Sequence, residues 1–316
     1  MSKAKRAEAS YEGVLPVLKP PGFTSHDVVA KARRLLGMKR IGHTGTLDPQ
    51  VTGVLPLCLG RATRVVEYIQ ELPKEYEAEL TIGYATDTED WTGQVTAQVE
   101  RAELSREQLL EVLQRFVGSI EQVPPMYSAV RVDGKRLYEL ARQGQEVERT
   151  ARTVQIYRLE LLHSELELDH PKVRFRVLCS KGTYIRTLCV DIGRALGYPS
   201  VMSELVRTST GQIALERCLS LPDIERLVQA GELEQHLIPT DQAIAHLPKL
   251  QVDAAAALHA SQGKTIRVAA AATAEDDAGT SGLVRLYNED GTFLGIFDNQ
   301  PEQHGQWRLQ PEKVFV

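Results

Sequence analysis

Residues 42–55, Gly-His-Thr-Gly-Thr-Leu-Asp-Pro-Gln-Val-Thr-Gly-Val-Leu, carry one acidic side chain, Asp48, in a stretch rich in glycine and threonine. Because Pro49 disfavours helical geometry at the residue before it, we expect Asp48 to lie on a turn. The glycines let the backbone approach a ligand closely, and the hydroxyl and imidazole groups offer hydrogen-bond partners. The pattern leaves two interpretations open: a reactive carboxylate, or an acid that only closes an Asx-turn.

Strand and helix signals surround this stretch on both sides. Residues 15–19 are typical of a short strand. The next segment predicts an amphipathic helix, because Thr24 and Asp27 form a capping-box pattern and apolar residues recur at helical spacing up to Gly37. Residues 76–82 alternate apolar and polar side chains, which predicts a half-buried strand.

The later part of the chain continues this mixture of elements. A capping-box pattern at Ser105 predicts a second helix that ends at Gly118. Residues 173–179 alternate as a further strand, and the helix predicted after them holds Tyr184 and Arg186 in its first turn. Because these elements follow no strict βαβ rhythm, the sequence predicts an α+β fold with a mixed, largely antiparallel central sheet flanked by helices.

We predict that the chain divides into three parts. Residues 1–12 form a basic tail expected to be disordered, residues 13–246 form the large domain, and residues 247–316 form a small β-rich domain. In this last part, Asn-Glu-Asp-Gly at 288–291 predicts a hairpin turn between two strands. Residues 269–282, rich in Ala, Thr, Asp and Gly, predict a long loop.

Composition excludes several classes of protein. The chain has 316 residues, 42% of them hydrophobic and 25% charged, which is typical of a globular protein. Its four cysteines lack paired spacing and its histidines are not clustered, so we expect neither a zinc site nor a disulfide framework. With no signal-peptide core and no run long enough to span a bilayer, we expect a cytoplasmic protein without membrane contact. We also expect a monomer, since no exposed apolar helix is apparent.

Basic residues cluster around the Asp48 stretch, although the whole chain has a formal net charge of -5. Residues 19–64 contain eight Lys and Arg side chains and two acidic ones. A polyanionic substrate needs such a basic block, but the same charges could form the solvated face of a helix.

Several separate motifs together resemble one family, the bacterial tRNA pseudouridine synthase B family of the pseudouridine synthases. The motifs are Lys-Pro-Pro-Gly-Phe-Thr-Ser at 19–25, the stretch 42–55, Lys-Glu-Tyr at 74–76, Gly-Tyr-Ala-Thr-Asp-Thr-Glu-Asp at 83–90, the segment 124–134, and Ser-Lys-Gly-Thr-Tyr-Ile-Arg-Thr-Leu at 180–188. Strong similarity covers residues 13–210, and a weaker similarity at the end resembles a PUA-type RNA-binding domain. The resemblance implies the pseudouridine synthase fold, no cofactor, and tRNA, through its T arm, as the partner.

The resemblance also implies a reaction, the isomerisation of uridine to pseudouridine at position 55 in the T loop, after the base is flipped out. Asp48 matches the catalytic nucleophile of the family. Arg186 matches the arginine that pairs with it, and we expect this arginine to lower the pKa of the carboxyl and keep it ionised. Tyr76 matches the residue that stacks on the flipped base. The alternatives are a surface salt bridge for Arg186 and an inward-facing sheet residue for Tyr76.

Further residues match positions around the base and the RNA. Tyr184 matches a residue that lines the pocket and could transfer a proton at C5, Leu205 one that packs on the base, and His43 one that fills the space left by the flipped nucleotide. Lys19 is expected in the same pocket or in contact with phosphate, whereas Tyr184 and Leu205 could instead be core residues. The side chains expected to hold the RNA backbone are Arg33, Arg34, Lys39, Arg40, Arg61 and Arg64.

Two other functions fit part of the sequence. One is a related pseudouridine synthase acting on another RNA, but such an enzyme would lack the Lys-Gly-Thr-Tyr-Ile-Arg segment at 181–186. The other is a non-catalytic tRNA-binding or RNA-folding protein, which would not need Asp48, Tyr76 and Arg186 together.

Overall fold

The structure, a computed structural model, describes residues 11–132, 134–269, 281–302 and 306–315. Within these ranges the α-helices are α1 (Ser25–Leu36), α2 (Val66–Glu71), α3 (Arg106–Arg115), α4 (Leu137–Ala141), α5 (Ile185–Leu196), α6 (Leu221–Ala230) and α7 (Ala254–Ser261). The strands are β1 (Gly13–Lys19), β2 (Ile41–His43), β3 (Thr52–Leu59), β4 (Lys74–Ile82), β5 (Tyr84–Thr86), β6 (Val95–Gln98), β7 (Gly118–Gln122), β8 (Arg131–Val132), β9 (Lys135–Arg136), β10 (Arg152–Glu165), β11 (Lys172–Cys179), β12 (Ser200–Thr210), β13 (Ile213–Ala214), β14 (Lys249–Gln251), β15 (Ile266–Ala269), β16 (Gly282–Tyr287), β17 (Phe293–Pro301) and β18 (Gln306–Val314). Short 3-10 helices lie at Gly60–Val65, Leu215–Arg217, Leu233–His236 and Gln242–Ile244.

A mixed sheet forms the centre of the larger unit. Its main path runs β1-β3-β12-β4-β11-β10-β7, with β2 beside β3 and β13 beside β12. In the described part of this sheet, neighbouring strands are antiparallel except for the parallel pair β3 and β12. The prediction of an α+β fold with a mixed, largely antiparallel central sheet is confirmed.

The sequence pattern sets the two faces of this sheet, as β4 illustrates. Its residues Tyr76, Ala78 and Leu80 are buried against α3 and α5, because the side chains of a strand alternate between the faces. The glutamates that alternate with them lie on the opposite face and form ion pairs with arginines of β10 and β11; they are Glu75, Glu77 and Glu79. The inner face of β4 is therefore available to build a site, while the outer face meets solvent.

Helices α1 and α6 cover β1 and β3 on one side of the sheet. The predicted capping box of α1 is confirmed, since Thr24 Oγ1 accepts from the Asp27 N–H and Asp27 accepts from the Thr24 N–H. The helix ends at Gly37, whose φ of 64° suits a residue without a Cβ. For α3 the predicted end was wrong: the helix stops at Arg115, because Gly118 already opens β7 and pairs with β10.

The C-terminal unit is a second, five-stranded sheet in the order β14-β16-β17-β18-β15. The predicted hairpin is confirmed: β16 and β17 pair antiparallel around the turn at 288–291. Of the loop predicted for 269–282, the two ends are in fact strand residues, and the interior, 270–280, lies outside the described residues. Ile296 and Phe315 of this unit share a hydrophobic core with Val14 and Val54.

The last two residues of the predicted N-terminal tail contact the fold. Tyr11 packs against the core under α1, and Glu12 forms an ion pair of 2.8 Å with Arg61. The rest of that tail, residues 1–10, lies outside the described residues. No helix within the described ranges has the length and apolar character needed to cross a membrane.

Candidate active site

Asp48 lies in a loop, residues 44–51, between β2 and β3. The Val51 N–H donates to the Asp48 carbonyl at 3.1 Å, so the acid is on a turn, as its sequence predicts. The Oγ of Ser25, at the start of α1, accepts from the Leu47 N–H at 2.9 Å. The loop backbone is therefore tied to a helix immediately before the acid.

Arg186, in the first turn of α5, holds the Asp48 carboxylate. Its Nε lies 3.0 Å from Oδ2 of Asp48, while Nη1 donates to the Thr88 carbonyl at 2.9 Å and Nη2 to the Tyr127 carbonyl at 2.8 Å. A second carboxylate, Asp90, lies 4.0 Å from the same Nε. Only 5% of the Arg186 side chain is exposed, so the alternative of a surface salt bridge is wrong. Planar guanidinium geometry suits this three-way arrangement.

The pKa of Asp48 depends on its burial and on the charges around it. Burial raises the pKa of its carboxyl above the ordinary value, and Asp90 adds to this rise, while Arg186 and Lys19 oppose it. Arg186 therefore acts on the pKa in the predicted direction, but the effect of burial is larger and the net direction is upward. The side chain keeps 42% of its surface exposed, and water at this open side moderates the effect of burial. Asp48 is thus fixed by a cation and still reachable from solvent.

Lys19 lies under the loop as a fully buried cation. Its Nζ donates to the carbonyls of Pro20, at 3.0 Å, and Pro49, at 2.9 Å. Burial lowers its pKa to about 8, although the nearby Asp48 works in the opposite direction. Of its two predicted roles, phosphate contact is contradicted, since a buried ammonium engaged by carbonyls cannot reach a solvated phosphate.

Tyr76 projects from β4 towards the Asp48 loop. Its ring belongs to the same core as Leu47 and Val51, on either side of the acid, and 9% of the residue is exposed. Burial raises the pKa of its hydroxyl. The ring therefore faces inward at the floor of the loop, and its stacking on a base stays a prediction.

The other predicted pocket residues lie on the elements around Asp48. Tyr184 is half-buried at the N-terminus of α5, where its N–H and carbonyl pair with the side-chain amide of Gln122 at 2.8 and 3.0 Å. Leu205 of β12 is half-buried against the core that contains Tyr76. His43 ends β2, and its Nδ1 accepts from the Gly45 N–H at 3.3 Å. Burial lowers the pKa of this histidine.

The six predicted backbone-binding residues fall into two groups. The first group lies exposed at the end of α1 and just after it, and its members are Arg33, Arg34, Lys39 and Arg40. Arg61 and Arg64 instead hold the end of the chain, because they donate to the carbonyls of Phe315 and Val314. Arg61 nevertheless keeps 52% of its side chain exposed, so RNA contact by these two residues stays a prediction.

Several residues of the site were missed from the sequence. The segment before Trp91 supplies the Thr88 carbonyl and the Asp90 carboxylate to Arg186. Between them Glu89, at a φ of 65°, is the one non-glycine residue with positive φ in the described part of the chain. The motifs at 83–90 and 124–134 contributed to the family resemblance. Their contacts with Arg186 through backbone carbonyls could not be predicted, because a carbonyl contact does not depend on the type of side chain.

The arrangement limits the chemistry that the site can perform. A carboxylate that is open to solvent on one side and held by a buried guanidinium can act as a nucleophile or a base. Across the described ranges, no three His, Cys, Asp or Glu side chains are grouped so that they could hold a metal ion.

Three family models match successive parts of the chain. They are the TruB family pseudouridylate synthase N-terminal domain at residues 33–185, the tRNA pseudouridylate synthase B C-terminal domain at 186–245, and the pseudouridine synthase II TruB C-terminal model at 248–315. Proteins named tRNA pseudouridine synthase B are similar over almost their whole length. The one from Bacillus licheniformis is 47% identical, covering 97% of this chain and 98% of its own, and the one from Geobacillus thermodenitrificans is 47% identical, covering 96% and 99%.

Solved structures with a similar fold are also known. A chain in a Cbf5-Nop10-Gar1 complex is 29% identical with a TM-score of 0.75, and the match covers 99% of this chain and 88% of that one. A chain in an H/ACA RNP bound to a substrate RNA containing 2′-deoxyuridine is 28% identical with a TM-score of 0.73 and the same coverage.

Proposed function

The chain belongs to the TruB family of pseudouridylate synthases, and from this premise we propose that it converts uridine 55 in the T loop of tRNA to pseudouridine. Asp48 is the nucleophile in this proposal. The observation that carries it is the pair of Asp48 and Arg186, in which a buried guanidinium fixes a carboxylate that remains open to solvent.

The reaction requires an ionised carboxylate and no external reagent. The N1–C1′ bond breaks, the base rotates, and a C5–C1′ bond forms, while a proton leaves C5 and one is taken up at N1. These steps are compatible with attack of the carboxylate either on C1′ of the ribose or on C6 of the base. In both routes Arg186 and Lys19 oppose the protonation of Asp48 that burial favours.

The base must leave the folded T loop before it can react. We propose that Tyr76 stacks on the flipped uracil, with Tyr184 and Leu205 lining the pocket and His43 filling the vacated space in the RNA. Proton transfer at C5 is assigned to Tyr184, whose half-buried position at the start of α5 beside Arg186 supports the role.

We assign contact with the RNA backbone to the exposed basic residues at the end of α1 and just after it. The members of this group are Arg33, Arg34, Lys39 and Arg40. Their loss weakens binding without altering the choice of uridine, because phosphate contacts position a nucleic acid but do not read its sequence.

We further propose that residues 13–246 form the catalytic domain, that residues 247–316 form a PUA-like RNA-binding domain, and that the protein acts as a cytoplasmic monomer on the T arm.

Tritium release from tRNA transcripts labelled at uridine C5 tests the proposal, with binding measured at the same salt concentration. The matched control is a transcript with cytidine in place of uridine 55. We expect one tritium per tRNA to be released from the first transcript and none from the second. Release from both would indicate a synthase for another site, and binding without release would indicate a non-catalytic RNA-binding protein.

A further inference from the structure

Arg207 of β12 is a buried cation that the proposed chemistry does not yet use. Only 2% of the residue is exposed. Its Nε donates to the Val54 carbonyl at 2.6 Å, and its Nη2 lies 3.4 Å from the Gly45 carbonyl. These acceptors are neutral backbone groups, whereas a buried charge is usually kept in a protein by an opposite charge.

The two carbonyls lie on either side of Asp48 in sequence. Gly45 precedes Asp48 in the loop, and Val54 follows Asp48 in β3. One guanidinium therefore connects the first part of the loop to the strand that follows it. Because its donors lie in one rigid plane, it fixes the separation of the two carbonyls in a way that a flexible ammonium cannot.

The strand pairing brings Arg207 to this position. In the parallel pair of β12 and β3, Arg207 is opposite Gly53, and a Cβ on this glycine would lie 2.2 Å from the Arg207 carbonyl. Only glycine permits so close an approach. On its other side β12 is antiparallel to β4, and here Arg207 is opposite Tyr76. The residue thus lies between the loop that carries the acid and the strand that carries the aromatic ring.

We propose that Arg207 is a positioning residue, which holds the Asp48 loop and the Tyr76 strand in the arrangement needed for turnover. The proposal rests on the proposed function, since it assigns Arg207 to the same reaction. Arg207 itself touches neither RNA nor reacting atoms in this account. An electrostatic contribution supports it, because the cation opposes the rise in the Tyr76 pKa that burial causes.

The test compares Arg207→Lys with Arg176→Lys. Arg176 lies on β11 and pairs with Glu77 on the outer face of β4, so the control changes the same residue type in the same sheet away from the loop. We expect Arg207→Lys to lower kcat by about 10- to 100-fold with KM for tRNA within about threefold of wild type, because a displacement of about 1 Å can cost this much in rate. Arg176→Lys should keep wild-type kcat and KM.

Hydrogen exchange measured by mass spectrometry gives a readout that does not depend on activity. In Arg207→Lys we expect faster exchange in peptides covering residues 44–54, with unchanged protection in α3 and α5. Unchanged kcat and unchanged loop exchange would overturn the proposal. Loss of protection throughout the sheet would also overturn it, by assigning Arg207 to stability alone. If wild type releases no tritium, the proposed function fails, whereas the exchange result still decides whether Arg207 holds the loop.

Discussion

The chain contains the same chemical pair, an arginine and a carboxylate, in two regions of one sheet. At the inner face, Arg186 is 5% exposed and pairs with Asp48, and backbone carbonyls hold its remaining donors. At the outer face, Arg176 and Glu77 pair at 2.5 Å with 38% and 34% of their side chains exposed. The two carboxylates keep similar exposed fractions, 42% for Asp48 and 34% for Glu77, so the two pairs differ in the burial of the arginine. The comparison teaches that a buried arginine with fixed geometry, rather than the pairing itself, prepares a carboxylate for chemistry.

Among the variants that keep Asp48, the largest effect is expected when Arg186 is replaced by lysine. Lysine keeps the charge but cannot bind Asp48 and the Thr88 and Tyr127 carbonyls together, so the carboxylate loses its orientation. We expect kcat to fall by about 10²- to 10³-fold, measured by single-turnover tritium release. Wild-type turnover in Arg186→Lys would show that a positive charge alone suffices. It would contradict the claim that the fixed geometry of Arg186 distinguishes the inner pair from the outer pair.

The aromatic side of the site is tested by Tyr76→Leu and Tyr76→Phe. Base stacking on an aromatic ring is worth about 1–3 kcal/mol, so the leucine variant should lose about 5- to 150-fold in kcat/KM. Phenylalanine keeps the ring and should retain the stacking contribution, which separates it from any role of the hydroxyl. Equal losses in both variants would contradict the assigned stacking. Thermal unfolding of each variant measures the contribution of Tyr76 to the core.

Stability should depend on pH through Lys19. The pKa of this buried lysine is lowered from 10.5 to about 8, so between these pH values the unfolded chain binds more protons at this site than the folded protein does. The wild-type free energy of unfolding therefore gains a contribution that rises with pH across this window, and Lys19→Met lacks it.

Urea unfolding at several pH values measures the difference between wild type and Lys19→Met. The advantage of the methionine variant should be greatest below about pH 8 and should decline towards pH 10.5. The control is Lys181→Met, at an exposed lysine that pairs with Glu71, and its difference from wild type should show no such trend. A constant difference for Lys19→Met would contradict the buried-cation interpretation.

The smallest effect is expected at the outer face. Glu77→Gln removes the exposed pair with Arg176 and should change the free energy of unfolding by no more than about 1 kcal/mol, less at high salt, without affecting tritium release. A loss of activity in this variant would show that the outer face also contributes to the reaction, and it would remove the distinction drawn between the two regions.

Periodic patterns were sufficient to predict the elements that carry the site. The capping box at Thr24, the alternation in β4 and the turn at Asp48 each follow from local chemistry and were found. The pairing of Arg186 with Asp48 was expected only from the resemblance, because no local pattern links residues so distant in sequence.

The remaining features depend on contacts that local patterns do not encode. The contact of Arg61 with the Phe315 carbonyl was not predicted, because the two residues lie 254 positions apart in sequence. The burial of Lys19 and the carbonyls of Thr88 and Tyr127 around Arg186 were likewise missed, since they arise from the meeting of separate segments. The pKa of Asp48 is raised by the burial of its own carboxyl group, which the sequence does not specify.

The central claim is that the fixed, accessible carboxylate of Asp48 performs the reaction. The most direct test is tritium release by Asp48→Asn, with tRNA binding measured in parallel and Glu77→Gln as the matched control for loss of a carboxylate paired with arginine. The account predicts that Asp48→Asn binds tRNA and loses at least about 10³-fold in rate, while Glu77→Gln keeps the wild-type rate. Turnover by Asp48→Asn at a rate close to that of wild type would contradict it.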